Sequence, residues 1–267
     1  AVVKLGKNIE LTESLILPEG VHLDGNGYKI TYTGERNASG GSVGVVIVSG
    51  GTIKNLTIDG GENGRALLTN GLKSDLAVEN CEFSGTYGFN GNTGATPTYA
   101  ATFTNTVFND WTSYGTGFEK VVMNGCTFNA NFRPYCDTEL TNCTFGADGV
   151  LDLSEMKGKL TINGVEYTSV STADGLSTAA GNIYLASDIE VSSAINLTSG
   201  STLNGNGNIL KSTTNDKFVN TSGGTIENIT LQGNDTGRAV FIANATSDVV
   251  LNNVVIDGFV YGINTGS

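Results

Sequence analysis

The chain has 267 residues, 39% of them hydrophobic and 15% charged, and its formal net charge is −12. This hydrophobic content is enough for a core and argues against intrinsic disorder, and no apolar run reaches the ~20 residues of a membrane span. The 14 basic residues are scattered singly, which disfavours nucleic acid as a partner. The 37 glycines and 29 asparagines indicate a turn-rich, all-β chain.

Near the start of the chain, leucines recur every six residues. Leu5, Leu11, Leu17 and Leu23 each have an apolar residue two positions earlier. Short strands with two inward side chains, separated by turns, produce this spacing. The first 27 residues therefore predict a series of very short strands.

From residue 53 onward a second pattern takes over, of the form apolar-x-Asn-apolar-x-apolar. It occupies residues 53–58, 78–83, 103–108, 140–145, 226–231 and 251–256, and a variant with Asn-Gly occupies 123–128 and 162–167. Asn and Gly tolerate the left-handed backbone of a sharp bend, and stacked Asn side chains can hydrogen-bond to each other. The pattern predicts bends stacked roughly every 17 to 25 residues, with Asn side chains that point inward.

The chain also contains a long internal duplication. Residues 3–27 match 183–207, residues 50–60 match 223–233, 64–66 match 237–239, and 74–85 match 247–258. We interpret residues 1–170 as a first repeat unit, 171–181 as a linker or short helical lead-in, and 182–267 as a truncated second copy. The duplication predicts a piece of a longer repeat array.

These stacked bends, together with the sequence LDGNG at Leu23–Gly27, resemble the right-handed parallel β-helix of the pectin-lyase-like superfamily. The resemblance covers nearly the whole chain and implies an all-β solenoid of about a dozen coils, a coil being one turn. A left-handed β-helix would keep the six-residue period throughout, which this chain does not. The superfamily includes polysaccharide lyases, glycoside hydrolases, phage tailspikes, adhesins and spacers, so the fold alone does not imply an activity.

The four cysteines are interpreted as structural. Cys81, Cys126 and Cys143 follow the Asn bend, at a position that other coils fill with apolar residues, so they are expected in the core. Cys136 lies outside this pattern and is expected at the surface.

No catalytic residue, metal site or cofactor is assigned. Lyases of the resembled superfamily use a basic residue with Ca²⁺ held by clustered acids, and its hydrolases use paired carboxylates, often beside Gly-His-Gly. This chain lacks Gly-His-Gly, and between its two copies Asp24 becomes Asn204 and Asp59 becomes Gln232. Weak Ca²⁺ binding at neighbouring acids such as Asp59 and Glu62 stays open as an alternative.

The segment from Tyr87 to Tyr135 contains the single Trp and a concentration of aromatic residues in three successive coils. Sugars stack on flat aromatic faces and hydrogen-bond to Arg, so these coils predict a glycan-binding groove. The candidate ligand-binding residues are Tyr87, Tyr99, Trp111, Tyr114, Phe118, Phe132, Arg133 and Tyr135. The alternative is that the rings only pack against the solenoid.

The sequence therefore favours an extracellular repeat module of a bacterial surface adhesin or phage fibre, a stalk that binds polysaccharide or host-cell glycan through aromatic loops. We expect it at a cell or virion surface, without nucleic acid and without membrane insertion. The alternative is a fragment of a polysaccharide lyase or glycoside hydrolase. A purely structural spacer is a third reading.

Overall fold

The computed structural model describes residues 1–92, 98–114 and 117–266. It confirms the predicted fold class: the chain is an all-β parallel β-solenoid of about 12 turns. The chain divides into two compact units, Ala1–Gly164 (unit 1) and Val165–Ser267 (unit 2). No helix in the described residues is long and apolar enough to cross a membrane.

Unit 1 is built from short strands with bends between them. Its strands are β1 (Val2–Lys4), β2 (Ile9–Leu11), β3 (Leu15–Leu17), β4 (His22–Asp24), β5 (Lys29–Tyr32), β6 (Val43–Val48), β7 (Gly51–Lys54), β8 (Thr57–Asp59), β9 (Gly64–Asn70), β10 (Leu76–Glu79), β11 (Glu82–Ser84), β12 (Tyr87–Asn92), β13 (Ala101–Thr104), β14 (Val107–Phe108), β15 (Thr112–Tyr114), β16 (Lys120–Asn124), β17 (Thr127–Phe128), β18 (Phe132–Arg133), β19 (Asp137–Thr141), β20 (Thr144–Phe145) and β21 (Leu160–Ile162).

Successive coils of unit 1 stack strand on strand in three parallel sheets of described residues. Sheet I has the order β1-β4-β7-β10-β13-β16-β19-β21, sheet II the order β2-β5-β8-β11-β14-β17-β20, and sheet III the order β3-β6-β9-β12-β15-β18. The register aligns equivalent positions of neighbouring coils, for example Ile53 with Val78 and Val78 with Phe103. Along many of these strands, such as β10 and β13, more buried and less buried side chains alternate.

The bends carry the predicted Asn in left-handed backbone. Asn55, Asn80 and Asn105 have φ of 52°, 52° and 48°, and Nδ2 of Asn80 donates to Oδ1 of Asn55 at 3.4 Å. Asn105 donates to Asn80 in the same way. The predicted inward direction is wrong: Asn80 and Asn105 are exposed, because the amide hydrogen bonds run along the outer corner of the bend. The Asn ladder is an outer feature.

The core of unit 1 is rich in stacked phenylalanines. On sheet II, Phe83, Phe108 and Phe128 are fully buried. The Phe108 and Phe128 rings stack with centroids 5.1 Å apart, and Phe128 stacks on Phe132 of sheet III at 4.4 Å. Burial of one such ring contributes roughly 2 to 3 kcal/mol to stability. These stacked phenylalanine rings therefore connect the inner faces of sheets II and III.

Unit 2 repeats this plan after a lead-in. It consists of β22 (Val165–Val170), helix α1 (Ala173–Thr178), β23 (Ile183–Leu185), β24 (Ile189–Val191), β25 (Ile195–Leu197), β26 (Thr202–Asn204), β27 (Ile209–Ser212), β28 (Lys217–Thr221), β29 (Gly224–Gln232), β30 (Arg238–Ala243), β31 (Val249–Asp257) and β32 (Tyr261–Gly266).

In unit 2 the first two sheets are continuous. Strand β29 pairs with β26 through its first half and with β27 through its second half, and it passes the bend at Asn228 without a break. A separate sheet, the counterpart of sheet III, has the order β25-β28-β30-β32. The core is mainly aliphatic, with Leu203 and Leu210 fully buried and Phe218 as its buried phenylalanine among the described residues.

The cysteines are mostly in the core. Cys81 and Cys126 are buried as predicted, whereas Cys143 is only partly buried. The prediction of a surface position for Cys136 is wrong: it is 9% exposed, and its carbonyl accepts a hydrogen bond from buried Thr138 at 2.8 Å. Burial raises the pKa of the Cys81 and Cys136 thiols to about 12.

Candidate functional site

The aromatic residues of the Tyr87–Tyr135 segment divide between the core and the surface. Tyr114, Phe118 and Phe132 are 0%, 2% and 0% exposed, so no ligand on the surface can contact them. For Tyr114 and Phe132 the cause is strand alternation: in β18 Phe132 points inward and Arg133 outward, and in β15 Tyr114 points inward and Ser113 outward. The predicted binding set therefore loses these three rings to the core.

Two of the remaining rings, Tyr87 and Trp111, form a row with Arg65 and Arg133 along the outer side of sheet III. We call these four side chains the aromatic row. The Tyr87 and Trp111 rings stack with centroids 5.5 Å apart and an interplanar angle of 26°. The Arg65 guanidinium lies 5.3 Å from the Tyr87 ring centroid and the Arg133 guanidinium 5.1 Å from that of Trp111. The two rings thus lie between two cations.

Adjacent coils hold Arg65 in place. Its Nε donates to Oγ of Ser42 at 2.9 Å and its Nη1 to Oδ1 of Asn90 at 2.8 Å. Strand register aligns Arg65 of β9 with Tyr87 of β12, and Asn90 with Ser113 of β15. Three successive coils therefore contribute to one end of the row.

Arg133 is anchored at the other end by a charge pair. Its Nε and Nη2 donate to Oδ2 of Asp152 at 2.7 and 2.6 Å. The hydrogen bond to Asp152, with a smaller contribution from Tyr135, raises the pKa of Arg133. Burial opposes ionisation of Asp152, but hydrogen bonds from Ser154 and the pairing with Arg133 outweigh it and lower the pKa of this carboxyl. The row is thus ordered before any ligand arrives.

Of the eight predicted residues, the structure brings together Tyr87, Trp111, Arg133 and Tyr135. Tyr99 precedes β13 of sheet I and is partly buried. Residues 93–97 and 115–116 of the same segment lie outside the described residues.

Sequence reasoning did not assign Arg65, Asn90 and Asp152 to the site. The internal repeat could have indicated Arg65 and Asn90. The GRA at 64–66 recurs at 237–239, and the YGFN at 87–90 recurs as YGIN at 261–264.

Unit 2 has a corresponding cluster, which we call the second row: Lys217, Arg238, Phe241 and Tyr261. Arg238 is in register with Tyr261, as Arg65 is with Tyr87, and its guanidinium lies 5.8 Å from the Tyr261 ring centroid. Lys217 Nζ lies 3.9 Å from the Phe241 centroid. The combination of Arg and Tyr on adjacent strands is thus present in both units.

Of the two acidic residues considered for Ca²⁺, the carboxylate of Asp59 is paired with a lysine. Asp59 accepts a hydrogen bond from Lys29 Nζ at 2.7 Å, and this contact lowers the pKa of Asp59. The carbonyl of Glu62 accepts a hydrogen bond from Arg36. In the described part of the chain, no three His, Cys, Asp or Glu side chains are grouped as a metal site would require.

Comparisons of the chain with protein-family models, with curated proteins and with solved structures found no significant match. The class that the fold defines is the parallel β-solenoid.

The aromatic row offers a defined set of contacts. Trp111 is 37% exposed and Tyr87 is partly buried, and each ring has one face toward the other ring and one toward a guanidinium. A ligand therefore meets ring edges, the Trp indole N–H, the Tyr hydroxyl and the guanidinium N–H groups that Ser42, Asn90, Asp152 and Tyr135 leave unused. Such a surface suits an extended molecule with many hydroxyl oxygens.

Proposed function

We propose that the chain is a non-catalytic β-solenoid module of an extracellular surface protein or fibre, and that it binds a neutral polysaccharide along the outer face of sheet III. The superfamily that the sequence resembles, in its non-catalytic adhesin and fibre members, is part of this proposal. The observation that carries it is the aromatic row, with Tyr87 and Trp111 stacked between Arg65 and Arg133.

The chemistry of the row fits sugars. The exposed ring edges of Tyr87 and Trp111 pack against the C–H groups of a pyranose, while guanidinium N–H groups donate to its hydroxyls. Both arginines are already fixed by neighbouring coils, so little side-chain entropy is lost when a ligand binds. The net charge of −12 disfavours an acidic glycan at long range.

The repeat of the arrangement supports the same function. Arg238 and Tyr261 of unit 2 occupy the strand positions of Arg65 and Tyr87. A polysaccharide is itself a repeating ligand, and linked weak sites raise its apparent affinity without any new contact. The proposed module therefore binds through two modest sites, one in each unit.

The test is affinity electrophoresis and a glycan array with neutral plant, algal, bacterial and host polysaccharides. We expect Trp111→Ala to weaken retention at least about tenfold, a loss of ~1.4 kcal/mol. The matched control is Phe145→Ala, because Phe145 is exposed to the same 37% but lies in β20 of sheet II. Equal retention of the two variants would contradict the proposed site.

The same panel separates binding from catalysis. New reducing ends or unsaturated uronate absorbance after incubation would show the alternative, a lyase or hydrolase fragment. We expect neither product.

A further inference from the structure

Two of the free thiols of unit 1 lie on neighbouring coils. Cys126 directly precedes β17 and Cys143 directly precedes β20. These strands pair in parallel, with Thr127 opposite Thr144, and the hydroxyls of these two threonines are hydrogen-bonded at 3.0 Å. The Thr144 N–H also donates to the Cys126 carbonyl at 2.9 Å. The cysteines therefore occupy equivalent positions at the corner between sheets I and II. Neighbouring strands lie about 4.8 Å apart, within the ~4.4 to 6.8 Å between Cα atoms that a disulfide spans.

The side chain of Cys143 points toward the coil that contains Cys126. Its thiol donates to the carbonyl of Met123, a residue of that coil, at 3.2 Å. A hydrogen bond between the two thiols lowers the pKa of Cys143 to about 7 and, together with burial, raises the pKa of Cys126. Cys126 is only 1% exposed, whereas Cys143 is partly buried. One thiol is thus accessible and readily ionised, and the other lies behind it.

The other two cysteines lie too far along the stack or at another corner. Cys81 is at the same corner as Cys126, but β14 lies between their strands in sheet II, and Thr106 takes the equivalent position on that coil. Two coil spacings, about 9.6 Å, exceed the ~7 Å limit for a disulfide. Cys136 lies between β18 and β19, at the corner of sheets III and I. The register therefore selects one pair of thiols.

We propose that Cys126 and Cys143 form a disulfide that joins their two coils covalently and stabilises the boundary between them, with a small-molecule disulfide such as oxidised glutathione as the oxidant. The Cys143 thiolate attacks one sulfur of the oxidant, whose S–S bond breaks and releases one thiol. Cys126 then gives up its proton, and its sulfur attacks Sγ of Cys143 and displaces the second thiol. Two protein thiols are thereby oxidised to one S–S bond. The oxidant is reduced to two thiols, which carry the two protons. The cross-link is independent of any ligand on sheet III.

The experiment starts from the fully reduced, folded chain at pH 7.5. The chain is incubated with oxidised glutathione, the remaining thiols are alkylated in denaturant, and unreduced peptides are analysed by mass spectrometry. We expect two peptides linked through Cys126 and Cys143, lighter by two hydrogen atoms than the separate peptides, with Cys81 and Cys136 alkylated. The double variant Cys81→Ser/Cys136→Ser should form the same link. The matched variant Cys143→Ser should form none.

Thermal unfolding measures the effect of the cross-link on stability. The two cysteines, like Thr127 and Thr144, are 17 residues apart. A bond between them removes conformations from the unfolded chain, so oxidation of the double variant should raise the Tm of unit 1 by at least about 5 °C. Trp111 fluorescence follows this transition. Cys143→Ser, treated with the same oxidant, should show no rise.

Each outcome decides the proposal. A Cys126–Cys143 link together with the higher Tm supports it. Complete alkylation of all thiols, or glutathione that stays on Cys143 without a link, would overturn it. A link to Cys81, to Cys136 or to a second chain would do the same, as would a link that forms only in denaturant or a Tm that does not rise.

Discussion

The two units share their outer Arg and Tyr positions but differ in what fills their cores. In unit 1, Phe83, Phe108 and Phe128 form a buried column, whereas the corresponding sheet of unit 2 contains aliphatic residues such as Leu210 and Leu231. Outside, the Arg65–Tyr87 pair of unit 1 returns in unit 2 as Arg238–Tyr261. The same coil geometry therefore accommodates either an aromatic or an aliphatic core. The outer side chains are the better guide to function.

The largest expected effect is on the interior. Phe128→Ala should lower the free energy of unfolding of unit 1 by roughly 3 to 5 kcal/mol, because Phe128 is in contact with Phe108, Phe132 and Phe145 and leaves a large cavity. Denaturant unfolding followed by Trp111 fluorescence reports on unit 1, since Trp111 is the single Trp. In unit 2, Leu210→Ala should cost about 2 to 5 kcal/mol and leave that Trp signal in place. A loss of less than about 1 kcal/mol for Phe128→Ala, instead of the expected ~3 to 5 kcal/mol, would mean that the phenylalanine column is loosely packed.

Substitutions at the Asn bends should lower stability less than the core substitutions do, and by similar amounts in both units. Asn80→Ala and Asn253→Ala should each lower stability by about 1 to 2 kcal/mol, since Ala avoids the left-handed backbone that these residues adopt. Asn80→Gly should cost less because Gly accepts that backbone freely. If Gly and Ala substitutions are equally damaging, the lost amide ladder and not the backbone is responsible.

The two outer charge pairs should differ in strength. The Arg133 and Asp152 side chains are 28% and 20% exposed, whereas Asp216, the partner of Arg238, is 70% exposed. Asp152→Asn should therefore cost up to ~1 kcal/mol and Asp216→Asn close to zero, as urea midpoints of the two variants will show. Equal losses would remove this difference between the rows.

The Arg133–Asp152 pair makes stability depend on pH in the acid range. The pKa of Asp152 is lowered in the folded state, so its contribution to stability is complete above the unfolded value of ~3.9 and is lost as the pH falls through the lower folded pKa. A pH series from about 6 to 2 for wild type and Asp152→Asn should show the difference between them shrinking only below ~pH 4. Convergence already near neutral pH would contradict the assignment.

The smallest expected effect is on the reactivity of the cysteine thiols. Cys126 and Cys143 lie on neighbouring coils, and their contact lowers the pKa of Cys143 to about 7 while it raises, together with burial, the pKa of Cys126. Cys143 should therefore react first with a thiol reagent at pH 7.5, and Cys81 and Cys136 only after unfolding. Mass spectrometry of the alkylated peptides identifies the order, and Cys143→Ser should remove the fast phase.

The fold was predictable because its determinants are local. A bend needs Asn or Gly at one position and apolar residues at fixed distances, and these recur along the chain from residue 53 to 256. The direction of the Asn side chains was not predictable in the same way. That direction depends on where the Asn amide of the neighbouring coil lies, because the two amides hydrogen-bond to each other, as Asn80 does to Asn55.

Only part of the site could be read from the sequence. Tyr87, Trp111, Arg133 and Tyr135 were found from aromatic density, but density does not separate Phe132 from Arg133, which point to opposite faces of one strand. Arg65 reaches Asn90 across 25 residues and Arg133 reaches Asp152 across 19. Because coil length varies, such contacts follow from strand register, which a sequence read by itself does not supply.

The parallel stacking of coils within each unit also has a mechanical meaning. Strands run across the stacking direction, so the backbone hydrogen bonds between neighbouring coils, such as those joining β10 to β7 and β13, lie along it. A pulling force along that axis is carried by all coil boundaries in series, and we expect the coils to detach one after another, beginning at an end. A coil of 25 residues, the separation of Asn55 from Asn80, would release roughly 80 to 90 Å of chain. A stack of such coils would lengthen in steps under load before it unfolds completely.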